Sequence, residues 1–504
     1  MKKTIYLFLM VLLSVSCFDD FLTEEPETLV TNNNFWQNEK DVESAVYGMH
    51  RWFRWVIGRV DVHYRDRGLP FDNLGSWANI SNNDLSRLTP DDPNTYWGYE
   101  YELVAEANTI ADNIGRANMP KERYNFYLGQ VLTIRAWSYF YIIRNWGDAP
   151  YIIHAEDVGE GGRMAWQDIA DVIIDDLKLA VGYLPCVNDL RDSEGKMIDS
   201  KQVPSRGMAF AIMAQVYAWK AALNNESELN KLAIAACDSV INDGSYALVG
   251  SIREVCERVM LGNSEEGIFE IDYRNSEDDL KSGGSYLGAF CQSWPIMPNK
   301  TPATKRRGLR IDNTTVYKMY PDESDQRREE YFYKLDSMAG VSTSITQGAA
   351  YVQKLRHILL YTSGNQVGQL KSFEDNEIII RLADMILLRA ELKAKSGDTK
   401  GAIRDLNWVR NRAGLRDYSP TDGNLVEAIA DERDRELFCE GISTRFFDIM
   451  RNGTFREKLR GNFKTLTKQD VIDGALFYPV ARQAFVDNTL MRQTPYWKRN
   501  GFSF

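Results

Sequence analysis

Apolar residues recur every three or four positions in segments that come two by two, and this constrains the chain more than any other feature. From Glu122 to Trp146, Leu128, Leu132, Ala136, Tyr139, Phe140 and Ile143 put one apolar stripe on a helix, which Gly147 and Pro150 stop. Across a loop holding Gly159, Gly161 and Gly162, a second helix follows, with Ile169, Val172, Ile173, Leu177, Ala180 and Leu184 on its stripe. The pairing returns from Ser205 to Ala222, lined by Ala211, Ala214, Tyr217, Ala218 and Ala221, and from Leu229 to Ile241, lined by Leu232, Ala233, Ala236 and Val240. Small residues at these spacings let helices approach closely.

The clearest pair is predicted over Glu377 to Lys395 and Thr399 to Arg412, where Ala383, Leu387, Ala390 and Ala394 face Ala402, Leu406 and Val409. This pair resembles a tetratricopeptide repeat unit. A weaker pair is drawn from Asp41 to Trp55 and from Tyr99 to Ile114. The expectation is an all-α fold, a tetratricopeptide-like superhelix of about four helix pairs without a strict 34-residue period. Two insertions are too long to be connectors, one near residues 58–96 and an irregular one over 243–376; both are expected to form a ligand-facing lobe. They divide the chain into a helical part over 41–242, the insertion, and a C-terminal helix pair with a closing segment over 377–504, as one intertwined unit.

The start of the chain reads as export machinery. Lys2 and Lys3 precede an apolar run from Ile5 to Val15, and small residues Ser14, Val15 and Ser16 lead to Cys17. Eleven apolar residues fall short of the roughly 20 that cross a bilayer as a helix. The segment resembles the lipobox of bacterial lipoproteins, which implies a signal peptide over 1–16, lipidation of Cys17 and a lipid-anchored tether over 17–40. Asp19 and Asp20 behind the cysteine resemble a surface-export signal.

A formal charge of −11 sets the body against nucleic acid and anionic headgroups. Twelve Trp, 25 Tyr and 22 Phe exceed what a core requires and suit stacking on sugars or peptides. Cys186, Cys237, Cys256, Cys291 and Cys439 lie too far apart for a CxxC motif, which leaves one or two disulfides or buried inert thiols as the readings.

Catalytic templates are missing. His50, His63, His154 and His357 have no zinc spacing, there is no phosphate loop, and Gly283-Gly284-Ser285-Tyr286-Leu287 lacks the last glycine of a nucleophile elbow. Asp431, Glu432, Asp434, Glu436 and Glu440 alternate with Arg433, Arg435 and Arg445, a pattern of ion-pair scaffolding on an exposed or bridging helix face. No catalytic residue, metal or cofactor is expected. The candidate ligand contacts are the aromatics Tyr64, Trp77, Tyr96, Trp97 and Trp294 with the polar Arg67 and Asp72, all in or beside the insertions. The competing reading for each tryptophan is packed core, where large aromatics mostly lie.

Several segments together resemble the SusD/RagB family of Bacteroidetes outer-membrane lipoproteins. They are Phe21-Leu22-Thr23-Glu24-Glu25-Pro26 with Asn34-Phe35-Trp36, and Arg135-Ala136-Trp137-Ser138-Tyr139-Phe140 running into Trp146-Gly147-Asp148-Ala149-Pro150. The C-terminal third adds Arg381-Leu382-Ala383-Asp384 with Glu391, Asn407 to Gly414, and Glu432-Arg433 through Glu440-Gly441 to Asp448 and Arg451. The resemblance implies a non-catalytic, cell-surface, oligosaccharide-capturing lipoprotein that serves a SusC-like TonB-dependent transporter. A peptide- or glycopeptide-binding role in the same family, or an all-α glycoside hydrolase, are the alternatives.

Overall fold

The computed structural model describes residues 32–58, 66–75, 88–92, 95–157, 161–272, 290, 293–304, 309–341, 343–486 and 488–503. Cys17, His63, Tyr64, Trp77 and Cys291 lie outside them, as do residues 1–31 with the expected signal segment and most of the tether. Eight helices carry the architecture: α1 (Glu39–Ile57), α2 (Gly98–Asn113), α3 (Lys121–Trp146), α4 (Trp166–Tyr183), α5 (Arg206–Leu223), α6 (Leu229–Ile241), α7 (Leu382–Lys395) and α8 (Thr399–Arg412). Each packs on the next in chain order, so the four expected pairs form and stack in series. None of the described helices is long and apolar enough to cross a membrane.

Local chemistry starts these helices. Asn38 and Asp41 close a capping box on α1, Ser205 accepts from the Met208 amide at α5, and Asp398 accepts from the Gly401 amide at α8. Helix α3 is buried on every face from Gly129 to Trp146, so it is the axis on which its neighbours pack. Its Arg135 forks onto both Asp176 oxygens of α4 at 2.9 Å and reaches Asn108 of α2 at 3.1 Å, tying three helices with one guanidinium. On α6 the buried face is Asn230, Ala233, Ala236, Cys237 and Val240; the expected Leu232 points outward at 48% exposure. The four described cysteines are free thiols, and Cys237, Cys256 and Cys439 are buried.

The segment Glu377–Arg381, expected as the first turn of a helix, is strand β4, and the helix begins at Leu382. It pairs antiparallel with β1 (Gly267–Ile271), placing Ile271 opposite Glu377 and Gly267 opposite Arg381. The run Ile378-Ile379-Ile380 is β-branched and apolar throughout, which suits a strand buried on both faces. Inside the 243–376 insertion, strands β2 (Ile358–Leu360) and β3 (Leu370–Phe373) form a second antiparallel pair. The insertion thus carries its own elements and is less irregular than its composition suggests.

Two further helices, α9 (Leu425–Glu436) and α10 (Thr444–Asn452), complete the C-terminal part. The acidic cluster on and after α9 does make ion pairs, but while Asp431 is exposed, Glu432, Glu436 and Glu440 lie in the interior. Glu432 and Glu436 are fully buried, and Glu440 is nearly so. Glu432 meets Arg327 at 2.7 Å and Arg435 at 2.8 Å; Glu436 meets Arg381 at 2.8 Å and also Arg412; Glu440 meets Arg381 at 2.6 Å and also Lys354. Glu266 joins the set through Arg381 at 2.5 Å and Arg412 at 2.7 Å. Burial by itself would raise the Glu432 carboxyl, but Arg327 and Arg435 override it and hold the group at about 2. Since Glu266, Arg327 and Lys354 belong to the insertion, this network clamps the insertion to β4, α8 and α9.

His50 of α1 is buried with its Nε2–H donating to Gln130 Oε1 at 2.9 Å. Burial lowers it to about 4, only partly opposed by the Gln130 bond. A histidine depressed in the folded state stabilises fully above its unfolded value near 6.5 and loses that contribution as pH falls toward 4, up to about 3 kcal/mol. Asp375, Asp384 and Glu270, which burial raises, act in the opposite sense over the same range. Comparing denaturant midpoints of the wild type and His50→Gln between pH 7 and pH 4 isolates the histidine: the variant is expected to lose less stability over that interval, and identical slopes would contradict the assignment.

Candidate functional site

The end of α3 builds one wall of an open aromatic cleft. Gly147 takes a left-handed φ of +72° and turns the chain out of the helix; the Asp148 carboxylate then accepts the Trp166 amide at 3.0 Å, fixing the start of α4. The emerging segment Pro150–Ile152 is pinned by hydroxyls and an amide. The Tyr101 hydroxyl donates to the Pro150 carbonyl at 2.6 Å, and the Asn108 side chain to the Ile152 carbonyl at 3.0 Å. The Tyr139 hydroxyl donates to the Ile152 carbonyl and accepts its amide, both at 2.8 Å. Burial pushes the Tyr101 hydroxyl well above its ordinary value, which keeps it a donor.

Facing this wall stands the C-terminal segment. Tyr478 donates its amide to the Asn145 carbonyl at 2.7 Å, Gln493 braces both backbone groups of Val480, and the Asn488 side chain donates to the Gly161 carbonyl at 3.1 Å. Between them and the start of α2 lies a cleft of ≈ 830 Å³. Tyr96, Trp97, Tyr101 and Tyr151 supply rings, while Glu102, Asp157, Gln483 and Asn488 supply polar groups. That size and mixture suit an oligomeric ligand with apolar faces and hydroxyls.

Tyr96 and Trp97 play different parts. Trp97 is the floor: it is buried, with its ring edge-on to Trp146 at 5.8 Å and to Tyr101 at 5.7 Å. Tyr96 is half-buried at the rim, and its ring lies so close over residue 98 that a Cβ there would collide with it. Gly98 is therefore required for that ring position. From Tyr96 an aromatic ledge continues to Tyr99 at 5.8 Å and to Trp55 at 5.7 Å, where Trp55 stacks on Trp52 at 4.4 Å. Trp55 is 41% exposed.

Other expected contacts fall elsewhere. Arg67 is in the interior at 3% exposure, held between the Phe446 and Tyr478 rings at 3.8 and 4.0 Å and donating to the Leu476 carbonyl at 2.6 Å. Its role in the structure is to fasten the insertion loop to the C-terminal segment, a correction to the expected ligand contact. The Asp72 carboxylate accepts from the Asp312 amide at 2.6 Å and the Thr315 hydroxyl at 2.9 Å, which joins the two insertions. Trp294 is half-buried with Tyr333 and Tyr351 edge-on at 4.6 and 5.4 Å, and does not line the cleft of Tyr96.

Sequence reasoning missed Trp52, Trp55, Tyr99, Tyr101 and Tyr151. A usable signal existed for the first two, since positions three apart share a helix face. Among the described residues no group of three or more His, Cys, Asp or Glu side chains could hold a metal ion.

Two family models match the chain: one described as "SusD family" over residues 293–497, and one described as "Starch-binding associating with outer membrane" over residues 64–218. The SusD-like protein P25 of Formosa agariphila is 25% identical, the match covering 88% of this chain and 89% of that protein. Among solved structures, a SusD homolog from Bacteroides thetaiotaomicron superposes with a TM-score of 0.76 at 24% identity, covering 92% of this chain and 100% of the other. Surface glycan-binding protein A from Bacteroides thetaiotaomicron, in complex with laminarihexaose, superposes at 0.69 and 18% identity, covering 91% and 100%.

Proposed function

The chain belongs to the SusD-like family, and on that footing we propose that it is a non-catalytic glycan-binding protein that captures an oligosaccharide in the cleft of Tyr96, Trp97, Tyr101 and Tyr151. Anchored to the outer membrane through Cys17 and facing outward, it would hand its ligand to a SusC-like TonB-dependent transporter. The observation that carries the reading is the convergence of four aromatic side chains with Glu102, Asp157, Gln483 and Asn488 in one open cleft. Rings meet the C–H faces of pyranoses while amides and carboxylates take their hydroxyls. The laminarihexaose complex of a structural relative and the outer-membrane description of one family model support it.

Tryptophan fluorescence titration of the purified chain against a panel of glycans and peptides, with product assayed alongside, tests this. One glycan class is expected to quench saturably and to yield no product. Tyr96→Ala is expected to weaken that binding roughly tenfold, a ring contact being worth more than about 1 kcal/mol at the centre of a site. Gly98→Ala should act the same way, because its methyl displaces the Tyr96 ring. Hydrolysis of any probe would overturn the non-catalytic reading, and response to peptides alone would move the ligand to the peptide class.

A further inference from the structure

A second cleft, of ≈ 430 Å³, opens between the loop Gly68–Leu74, the helix Asn313–Met319, α9, α10 and the segment 457–460. Its charge is unlike that of the rest of the molecule. Lys318, Arg435, Arg445, Lys458 and Arg460 line it against Asp431, Asp434 and Glu457, a formal excess of two positive charges on a chain that carries −11 overall.

The carboxylates are largely engaged. Lys458 bridges Asp431 at 2.8 Å and Asp434 at 3.1 Å, Arg445 meets Asp434 at 3.2 Å, and Glu457 sits exposed at the rim. Of the five cations, Lys458, Arg445 and Arg435 are thereby paired, Arg435 with Glu432 at 2.8 Å. Among the described residues Arg460 and Lys318 close no salt bridge, Arg460 having Asp72 and Asp312 as its more distant carboxylates, and the buried Nε groups of Arg435 and Arg445 have no hydrogen-bond partner. Arg460 is half-buried, and burial together with the neighbouring Arg445 outweighs the support of Asp72 and Asp312, so its guanidinium is held below its ordinary value and an added anion would relieve it. Leu69, Pro70, Leu74, Met319 and Leu459 form an apolar wall beside these groups.

We propose that this cleft binds an acidic sugar unit, with Arg460 and Lys318 taking a carboxylate or sulfate ester while the apolar wall takes the ring. Arginine offers paired N–H groups to a planar or tetrahedral oxyanion, and lysine adds a mobile charge at the mouth. The assignment narrows the ligand to anionic glycans and rests, for its sugar part, on the glycan-capture reading. Asp72 links the two insertions beside this cleft through Asp312 and Thr315, so the same loop residues hold its walls in place.

Isothermal titration of the full chain at low salt with four probes tests it: hexagalacturonate, a sulfated galactohexaose, neutral laminarihexaose and inorganic sulfate. One acidic hexasaccharide is expected to bind at least tenfold tighter than the neutral one, the preferred probe telling carboxylate from sulfate ester. Arg460→Gln should erase that preference and leave the neutral affinity unchanged; Lys318→Gln, at an exposed position that the fold does not use, should reduce it severalfold. Retention of the preference in both variants, or failure of the wild type to bind either acidic probe, would overturn the proposal. If Arg460→Gln removes acidic binding while Tyr96→Ala changes no saccharide affinity, the anion site stands and capture at the aromatic cleft falls. If neutral glycan binds through Tyr96 without acidic preference, the reverse holds.

Discussion

Arg381→Ala is expected to destabilise the protein by about 3–5 kcal/mol, the cost of stranding buried charge. The guanidinium is fully buried and makes ion pairs with Glu266, Glu436 and Glu440 at 2.5–2.8 Å, while also donating to the Glu436 carbonyl at 2.8 Å. Removing it leaves three carboxylates in the interior with Lys354, Arg327 and Arg412 to share among them. Arg381→Lys keeps the charge but cannot fork onto two glutamates, so it should fall between alanine and wild type.

The measurement is the guanidinium chloride midpoint with its slope, and a loss below about 1 kcal/mol would show that the network is dispensable. Acid sensitivity gives a second readout. The arginines keep Glu432, Glu436 and Glu440 below the usual carboxylate range in spite of burial. Groups depressed in this way stabilise above the unfolded value near 4.3 and lose their contribution as pH falls below it, Glu432 through about 2. Without Arg381, Glu436 and Glu440 titrate higher, so acid unfolding of the alanine variant should begin at a higher pH.

Trp146→Ala should cost a similar amount, about 3–5 kcal/mol, for a different reason. The indole is fully buried at the end of α3, its Nε1–H donates to the Thr95 carbonyl at 3.1 Å, and its ring meets Trp97 at 5.8 Å and Tyr478 at 5.7 Å. A cavity there takes support from Trp97, the floor of the aromatic cleft, and from the C-terminal wall together. Ligand affinity is therefore expected to fall along with the melting temperature, although Trp146 is not among the residues lining the cleft. Trp146→Phe should recover much of the stability without the Thr95 bond. Full glycan affinity in a strongly destabilised Trp146→Ala would separate the floor from the site.

The helix pairs were legible because each buries one stripe against a neighbour close in sequence, and a period near 3.6 records that directly. Ile378-Ile379-Ile380 misled because a short, wholly apolar run has no period, and only its partner β1, more than a hundred residues away, settles it as a strand. The cluster around Glu432 and Glu436 was readable as ion pairing. Its burial was not, since Arg327, Arg381 and Arg412 reach it from three separate elements. The same limit governs the cleft. Tyr96 and Trp97 stood out beside an insertion, whereas Tyr151 and Asn488 arrive from distant segments, and Arg67 looked like a loop cation although two aromatic rings enclose it.

The antiparallel pairing of β1 with β4 brings the two ends of a hundred-residue excursion side by side, with Ile271 opposite Glu377. Seen from the helical frame, everything between them enters and leaves through one doorway. Most of the ion-pair clamp, Arg381 and the α8 and α9 residues, lies on the frame side of that doorway, and Glu266 lies just before it. Such an arrangement ties the stretch between residues 272 and 376 to the stacked helices at both of its ends, and Arg327 and Lys354 fasten it to them again from within.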